Sequence, residues 1–171
     1  VWMKIEIKEL SPNTEEIESV KEFLLDHIKN TYGYGYTPEF HYDIKNLKKM
    51  YVKDEQSNFY IAKKPNKEIV GCIGIRGYDK NFEEFKGIYF KNTTASIWRL
   101  MVDSRYRRQG IATKLVNHVE KFSKSKNYEN IYLHTQRNLP GALKFWQSQR
   151  YSITHNIQNE HTTVHMIKYL Q

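Results

Sequence analysis

The sequence has a single cysteine and no long apolar run, and each absence excludes a class of protein. One cysteine, Cys72, among 171 residues excludes an internal disulfide. Its place in the apolar run 69–75 favours a buried, unreactive thiol. No stretch of about 18 consecutive apolar residues exists to cross a membrane. The first residues alternate like a strand and show no export signal, so we expect a cytoplasmic protein with no membrane partner.

Charge is distributed unevenly along the chain. The formal net charge is +8, but residues 1–60 hold 8 Lys and Arg against 11 Asp and Glu, whereas residues 61–171 hold 19 against 8. This segregation fits one phosphate-rich ligand bound by the later part of the chain and a cationic ligand near the earlier part. We therefore expect no nucleic-acid partner, and a basic nucleic-acid-binding module stays open as an alternative.

The first third of the sequence predicts one strand followed by two helices. Residues 2–8 alternate between polar and apolar side chains, which is typical of a half-buried strand. Asn13 is a suitable N-cap for the first helix, and Thr37 with Pro38 is typical of the start of the second. The predicted apolar faces consist of Ile17, Val20, Leu24 and Ile28 in the first helix and of Phe40, Ile44, Leu47 and Tyr51 in the second.

The remainder predicts six strands and two helices. Strands are predicted at 58–64, 68–76, 95–102, 130–135, 151–157 and 162–170, and helices from Gly110 and at 140–149. Residues 77–94 lack a clear period and are predicted to be a loop. The element order predicts an α/β (α+β) fold, a mixed central sheet of about seven strands flanked by four helices, in a single domain of residues 1–171.

Residues 97–115 carry the clearest chemical signal. An apolar strand leads into a basic loop with Arg105, Arg107 and Arg108, and Gly110 and Ala112 then begin a helix. Backbone amides at a helix start lack intrahelical partners, and small side chains let a phosphate approach them. Guanidinium groups match phosphate oxygens. The pattern predicts an anion site, with a plain basic surface loop as the alternative, and it lacks the glycines of a Walker or dinucleotide loop.

Two motifs give this sequence a family resemblance. The segment Arg107-Arg108-Gln109-Gly110-Ile111-Ala112 resembles the Gln/Arg-x-x-Gly-x-Gly/Ala signature of the GNAT superfamily of acyl-CoA N-acyltransferases. Residues 99–102 resemble the family's cofactor-binding strand, and residues 138–151 are similar to its second motif. The resemblance covers the whole chain and implies an N-acetyltransferase that moves an acetyl group from acetyl-CoA to a primary amine.

The same resemblance implies which residues bind acetyl-CoA. The loop amides would hold the pyrophosphate, the strand backbone would pair with the pantetheine, and Asn138 would meet the cofactor arm, unless it is only a helix cap. The implied contacts are Leu100, Met101, Val102, Arg107, Arg108, Gln109, Gly110, Ile111, Ala112, Thr113 and Asn138.

The family's usual proton-transfer residues are replaced in this sequence. Trp146 stands where many members have a tyrosine, and Ser96 stands where some have a glutamate. An indole delivers no proton in the neutral pH range. His134 is the first substitute because imidazole titrates near neutral pH, with a purely structural histidine as the alternative. Tyr132 and Tyr151 are the other candidate catalytic residues.

In the family, the first two helices and their loop border the acceptor site. Here they carry Tyr34, Tyr36, Glu39 and His41 in a net acidic segment, and aromatic faces beside carboxylates suit a cationic amine. The alternative is that these residues only pack or face solvent. We expect a small-molecule amine or amino acid as acceptor, with a protein lysine or N-terminus second.

Other expectations concern partners. Acetyl-CoA is the expected co-substrate, no metal is expected, and a homodimer is one expected assembly. A catalytically weak acyl-CoA-binding domain also stays open, because Trp146 and Ser96 depart from the family pattern.

Overall fold

The computed structural model describes residues 4–171. Its seven strands form one mixed sheet in the order β1-β2-β3-β4-β5-β7-β6. The strands are β1 (Glu6–Glu9), β2 (Asn58–Lys63), β3 (Ile69–Gly77), β4 (Thr94–Val102), β5 (Asn130–Gln136), β6 (Ser152–Asn156) and β7 (Thr163–Tyr169). The α-helices are α1 (Thr14–Tyr32), α2 (Pro38–Lys45), α3 (Ile111–Ser125) and α4 (Ala142–Ser148). The predicted α/β (α+β) fold, with seven strands and four helices, is confirmed. Residues 2 and 3 of the predicted first strand lie outside the described residues.

The chain divides into two compact units. The first contains the described residues up to 76 together with 98–119, and the second contains 77–97 together with 120–171. That residues 1–171 act as a single domain stays a prediction. Within residues 4–171, no helix combines the length and apolar character that a bilayer span requires.

Helix α1 forms much of the core of the first unit. The Asn13 side chain caps it by accepting hydrogen bonds from the N–H groups of Glu15, at 2.9 Å, and Glu16, at 3.2 Å. Gly33 ends it with a φ of 79°, a left-handed conformation that glycine adopts without a Cβ penalty. The predicted apolar face, Ile17, Val20, Leu24 and Ile28, is buried.

The predicted apolar face of the second helix is partly wrong. Ile44, Leu47 and Tyr51 are buried as expected, but Phe40 is 64% exposed. The physical reason is an irregular backbone, because His41 has a non-helical φ of −121° and ψ of 22° within α2. The helical period therefore does not carry from Ile44 back to Phe40. A π-helical turn, Lys48–Val52, follows α2.

The second unit contains an aromatic core that the sequence pattern did not predict. Residues 77–94 are largely irregular, with a short 3-10 turn at Glu83–Phe85, yet they bury Tyr78, Phe85 and Tyr89. These rings pack on Tyr132, whose ring centroid lies 5.2 Å from that of Tyr78. Side chains on an irregular backbone have no period, so hydrophobic periodicity cannot reveal their burial.

Glu16 joins α1 to two strands of the first unit. Its carboxylate accepts hydrogen bonds from Lys8, at 2.9 Å, from Lys63, at 3.1 Å, and from the Ser11 backbone N–H, at 2.8 Å. Burial alone would raise the pKa of Glu16, but these hydrogen bonds and the nearby lysine charges outweigh it and lower the pKa to about 2. The ionised carboxylate is therefore favoured in the folded state.

We predict that Glu16→Gln lowers the free energy of unfolding at neutral pH and flattens its dependence on pH. The depressed pKa stabilises the native protein above the unfolded value of 4.5, and this stability is lost as pH falls from 4.5 to about 2. Urea denaturation of both proteins across that window measures the effect. Equal slopes of stability against pH in the two proteins would contradict it.

Candidate active site

A tight turn follows the strand that leads to the predicted phosphate loop. β4 ends at Val102, and the Asp103 Oδ1 atom accepts a 3.0 Å hydrogen bond from the Arg105 N–H. The Arg105 guanidinium binds the carboxylates of Asp103, at 2.8 Å, and Glu68, at 3.1 Å. The sequence predicts Arg105 among the charges around an anion, but these two carboxylates neutralise it.

The phosphate loop, residues 107–113, combines left-handed residues with the start of α3. Arg108 has a φ of 62° and Gly110 a φ of 75°. Turns of this kind direct successive N–H groups toward one concave side, where anions bind. The first hydrogen bond of α3 runs from the Lys114 N–H to the Gly110 carbonyl, at 3.0 Å. The N–H groups of residues 111–113 therefore precede the helical ladder.

The surroundings of this loop also suit a diphosphate. Apart from Gly110 and its two chain neighbours, no heavy atom of residues 4–171 lies within 4 Å of the place where a Cβ at position 110 would stand, and Arg107 and Arg108 are exposed. The Gln109 Oε1 atom is buried and has no hydrogen-bond partner in the described part of the chain. Rotation of that amide would present an N–H donor in its place. The predicted pyrophosphate contacts lie together on one turn that fits an anionic ligand.

The predicted pantetheine-binding residues form the last part of β4. Leu100 and Val102 are half-buried, and Met101 is buried. β4 pairs with β5 in parallel at the start of both strands. The paired residues are Thr94 with Asn130, Ala95 with Ile131, and Ser96 with Tyr132. Leu100, Met101 and Val102 follow this paired stretch along the strand.

A buried ion pair connects β4 to α2. The Arg99 Nε atom donates to Asp43 Oδ2 at 3.1 Å, and its Nη2 atom donates to Asp43 Oδ1 at 2.7 Å. The Tyr51 hydroxyl donates to Asp43 Oδ2 at 2.6 Å. Burial alone would raise the pKa of Asp43, but the Arg99 hydrogen bonds and charge outweigh it and hold the pKa below its usual range. Asp43 is therefore an ionised partner of Arg99 at neutral pH.

Three of the four predicted acceptor residues lie together at the start of α2. The Tyr34 ring stacks on His41 at 6.0 Å, and Tyr36 lies 6.1 Å from the same ring. His41 is 2% exposed, and its Nδ1 atom accepts a 2.8 Å hydrogen bond from the Thr37 N–H. Burial, followed by the Arg99 charge, lowers the pKa of His41. His41 therefore supports the two tyrosine rings as a neutral side chain.

The surface around these rings is aromatic and exposed. Glu39 lies in the first turn of α2 and is exposed. The exposed aromatic side chains of this segment are Tyr32 (38%), Tyr34 (46%), Tyr36 (42%), Phe40 (64%) and Tyr42 (51%). Aromatic faces with a nearby carboxylate can bind a cationic amine. We call residues 32–42 the aromatic segment.

In the second unit, His134 is exposed on a row of titratable side chains. It lies on β5 directly opposite His165 on β7, and Tyr132 shares its face two residues earlier. The Tyr132 hydroxyl lies 2.6 Å from the His165 Nδ1 atom. Burial raises the pKa of Tyr132 and lowers that of His165. Of these three groups, His134 is the one that solvent reaches.

The remaining catalytic candidate, Tyr151, and the two positions that depart from the family pattern, Trp146 and Ser96, are buried. Tyr151 is 2% exposed and donates a 3.0 Å hydrogen bond to Glu120, and its burial raises its pKa well above the usual value. Trp146 is 6% exposed and lies edge-on to Tyr151 at 5.2 Å. Ser96 is fully buried, and its Oγ atom has no hydrogen-bond partner among residues 4–171. These side chains are packed within the second unit.

Asn138 does not cap a helix. It is exposed in the turn after β5, and the N-cap of α4 is Gly141, with a φ of 77°. The cap interpretation of Asn138 is therefore wrong, because the helix begins later than the sequence predicts. The cofactor-arm role of Asn138 stays a prediction.

Sequence reasoning missed the partnership of Arg99 with Asp43. One signal was available, since Arg99 is a charged residue inside the apolar run 95–102. A buried charge needs a partner, but 56 positions separate Arg99 from Asp43. His165 was also missed, because a histidine within an alternating strand carries no distinctive pattern.

Residues 21–150 match the family model of the Acetyltransferase (GNAT) family, and the chain belongs to that family. A relative, N-acetyltransferase 8 from Homo sapiens, is 30% identical over 112 residues, which are 66% of this chain and 46% of that protein. The chain thus spans less than half the length of this relative.

Two solved structures share the fold. An acetyltransferase of the GNAT family from Staphylococcus aureus Mu50 superposes with a TM-score of 0.78 at 22% identity, covering 98% of this chain and 100% of that one. The PaiA N-acetyltransferase from Thermoplasma acidophilum in complex with coenzyme A superposes with a TM-score of 0.72 at 21% identity, covering 98% and 99%. The family uses acyl-CoA.

We predict that Gly110→Val weakens coenzyme A binding by about tenfold or more, because each lost charge-assisted hydrogen bond is worth about 1.5–3 kcal/mol. A branched side chain disfavours the left-handed φ of 75° and displaces the amides beside it. Isothermal titration calorimetry with coenzyme A measures the affinity.

Gly87→Val is the matched control. Gly87 has a φ of 73° and equally open space around its Cβ position, so it incurs a similar backbone penalty outside the phosphate loop. Unchanged coenzyme A affinity in a folded Gly110→Val protein would contradict the assignment of the loop.

Proposed function

We propose that this chain transfers an acetyl group from acetyl-CoA to a primary amine of a small molecule or amino acid. The observation that carries the proposal is the phosphate loop, a short turn after the end of β4, in which left-handed residues and the N–H groups ahead of the α3 ladder would bind an anion. Family membership and the name of the human relative support acyl transfer to nitrogen.

The donor would bind along the first unit. The N–H groups of residues 107–113 would hold the pyrophosphate, and the backbone of residues 100–102 would pair with the pantetheine. A strand N–H near Val102 would stabilise the oxyanion that forms when the amine attacks the thioester. One such donor is typically worth about 3 kcal/mol of barrier.

The acceptor would bind at the aromatic segment. Tyr34 and Tyr36 present exposed ring faces, and Glu39 adds a carboxylate that attracts an ammonium group. An amine with a pKa near ~10.4 arrives protonated and must lose a proton before it attacks. A protein lysine or N-terminus is the second acceptor class.

His134 is the proposed proton acceptor. Its side chain is exposed, and imidazole accepts protons near neutral pH. Tyr132 and Tyr151 have less support, because burial raises the pKa of both phenols.

The first test of the function is binding and turnover. We predict that acetyl-CoA raises the melting temperature, because a ligand at about 100 times its Kd adds about 2.7 kcal/mol of stability. With a panel of amines and amino acids, free coenzyme A thiol should then appear. Binding without thiol release would support the acyl-CoA-binding alternative, and the absence of binding would overturn both.

The second test concerns His134. We predict that His134→Gln lowers kcat by about 100-fold or more, which is the usual contribution of a general base, while the KM for acetyl-CoA stays near the wild-type value. The acidic limb of the dependence of kcat on pH should also change, because a general base is inactive once it is protonated. His161→Gln is the control, since the His161 side chain is 61% exposed on a turn of the same unit. Equal kcat values in the two variants would remove His134 from the mechanism.

A further inference from the structure

Arg99 has an unusual backbone conformation for its residue type. Its φ is 57°, in the left-handed region that side chains with a Cβ rarely occupy. Strand β4 continues on both sides of it, from Thr94 to Val102. A strained residue in the middle of a strand persists only where surrounding contacts hold it, and such outliers concentrate at functional sites.

The guanidinium of Arg99 is held by α2, which carries part of the aromatic segment, and the Arg99 carbonyl accepts a 3.4 Å hydrogen bond from the Cys72 thiol. Its guanidinium makes the two hydrogen bonds to Asp43 and a third, of 2.5 Å, to the Phe40 carbonyl. The side chains of Arg99 and Asp43 are 15% and 4% exposed. Partial removal of such a buried pair leaves a charge without its partner, so the network acts as a unit.

This network continues into the aromatic segment through adjacent residues. Phe40 directly precedes His41, and Asp43 follows it by two positions. His41 stacks on Tyr34 and accepts the hydrogen bond from the Thr37 N–H. At the β4 end of this network, Arg99 directly precedes Leu100, the first residue of the proposed pantetheine-binding stretch. One side chain thus connects the donor strand to the acceptor surface inside the first unit.

We propose that Arg99 is a positioning residue that couples donor binding at residues 100–102 to ordering of the aromatic segment. A ligand pairing with the backbone after Arg99 restrains the left-handed turn, and the turn aims the guanidinium at α2. Donor and acceptor then raise each other's affinity by the same factor. The inference rests on the proposed function, because it takes coenzyme A to bind along β4.

Amide hydrogen exchange of residues 32–42, with and without saturating coenzyme A, tests the coupling without a known acceptor. In the wild type we expect coenzyme A to slow this exchange by about fivefold or more, the lower range of coupling between sites. In Arg99→Lys the slowing should disappear, although coenzyme A still saturates the protein. Lysine keeps the charge but lacks the fork of donors, so retained slowing in this variant would overturn the proposal.

Asp43→Asn and Glu16→Gln complete the comparison. Asp43→Asn should behave like Arg99→Lys, while Glu16→Gln removes a half-buried carboxylate of the same unit and should keep the coenzyme A effect. Loss of the effect in Glu16→Gln as well would mean that general destabilisation is the cause and would overturn the proposal. With an acceptor from the amine panel, Arg99→Lys should raise the acceptor KM by about fivefold or more. The fold-change in kcat should be smaller than that in KM, and the protein should stay folded at the assay temperature.

The outcomes separate this inference from the proposed function. A wild type that binds coenzyme A and releases thiol, but shows no slowing at residues 32–42, overturns the inference alone. A wild type that does not bind coenzyme A overturns the proposed function and this inference with it.

Discussion

The constraint on which the rest depends is the change of backbone direction between β4 and α3. Left-handed conformations at Arg108 and Gly110 bring the chain from a strand into a helix over a few residues. The first turn of any helix has N–H groups that the helix itself cannot satisfy. Here these groups lie a short turn after the end of β4, and the Cβ position at Gly110 faces open space. A diphosphate is a natural partner for such a turn, and the proposed chemistry is arranged around it.

The first unit contains both the turn before α3 and an exposed aromatic surface, and Arg99, on the strand that precedes the turn, binds α2. A single exposed aromatic side chain is common on protein surfaces. Five of them within residues 32–42 are an unusual local concentration of exposed rings. The segment is anchored from its buried side by His41 and by Asp43, whose ionisation the Arg99 charge maintains. The exposed rings of the segment are thereby attached to buried side chains, while the ring faces stay accessible to solvent.

The candidate proton-transfer groups differ more in burial than in the ordinary chemistry of their residue types. Tyr132 and Tyr151 are ordinary phenols in the sequence, yet each is almost fully enclosed, and desolvation disfavours the phenolate. His134, two positions from Tyr132 on the same strand face, is exposed. Trp146 fills space beside Tyr151, so the position where many family members have a tyrosine has a packing role in this chain.

The sequence by itself determined the order of strands and helices, the Asn13 cap, the Gly33 stop and the phosphate loop, because each depends on residues within one or two turns of chain. Only the tertiary structure decided that Arg99 binds Asp43, that Phe40 is exposed and that residues 77–94 contribute an aromatic core. Those outcomes depend on packing between segments distant in sequence and on irregular backbone at His41, which hydrophobic periodicity does not encode. The start of α3 after Gly110 was therefore predictable from its local pattern, whereas the contact between β4 and α2 through Arg99 was not.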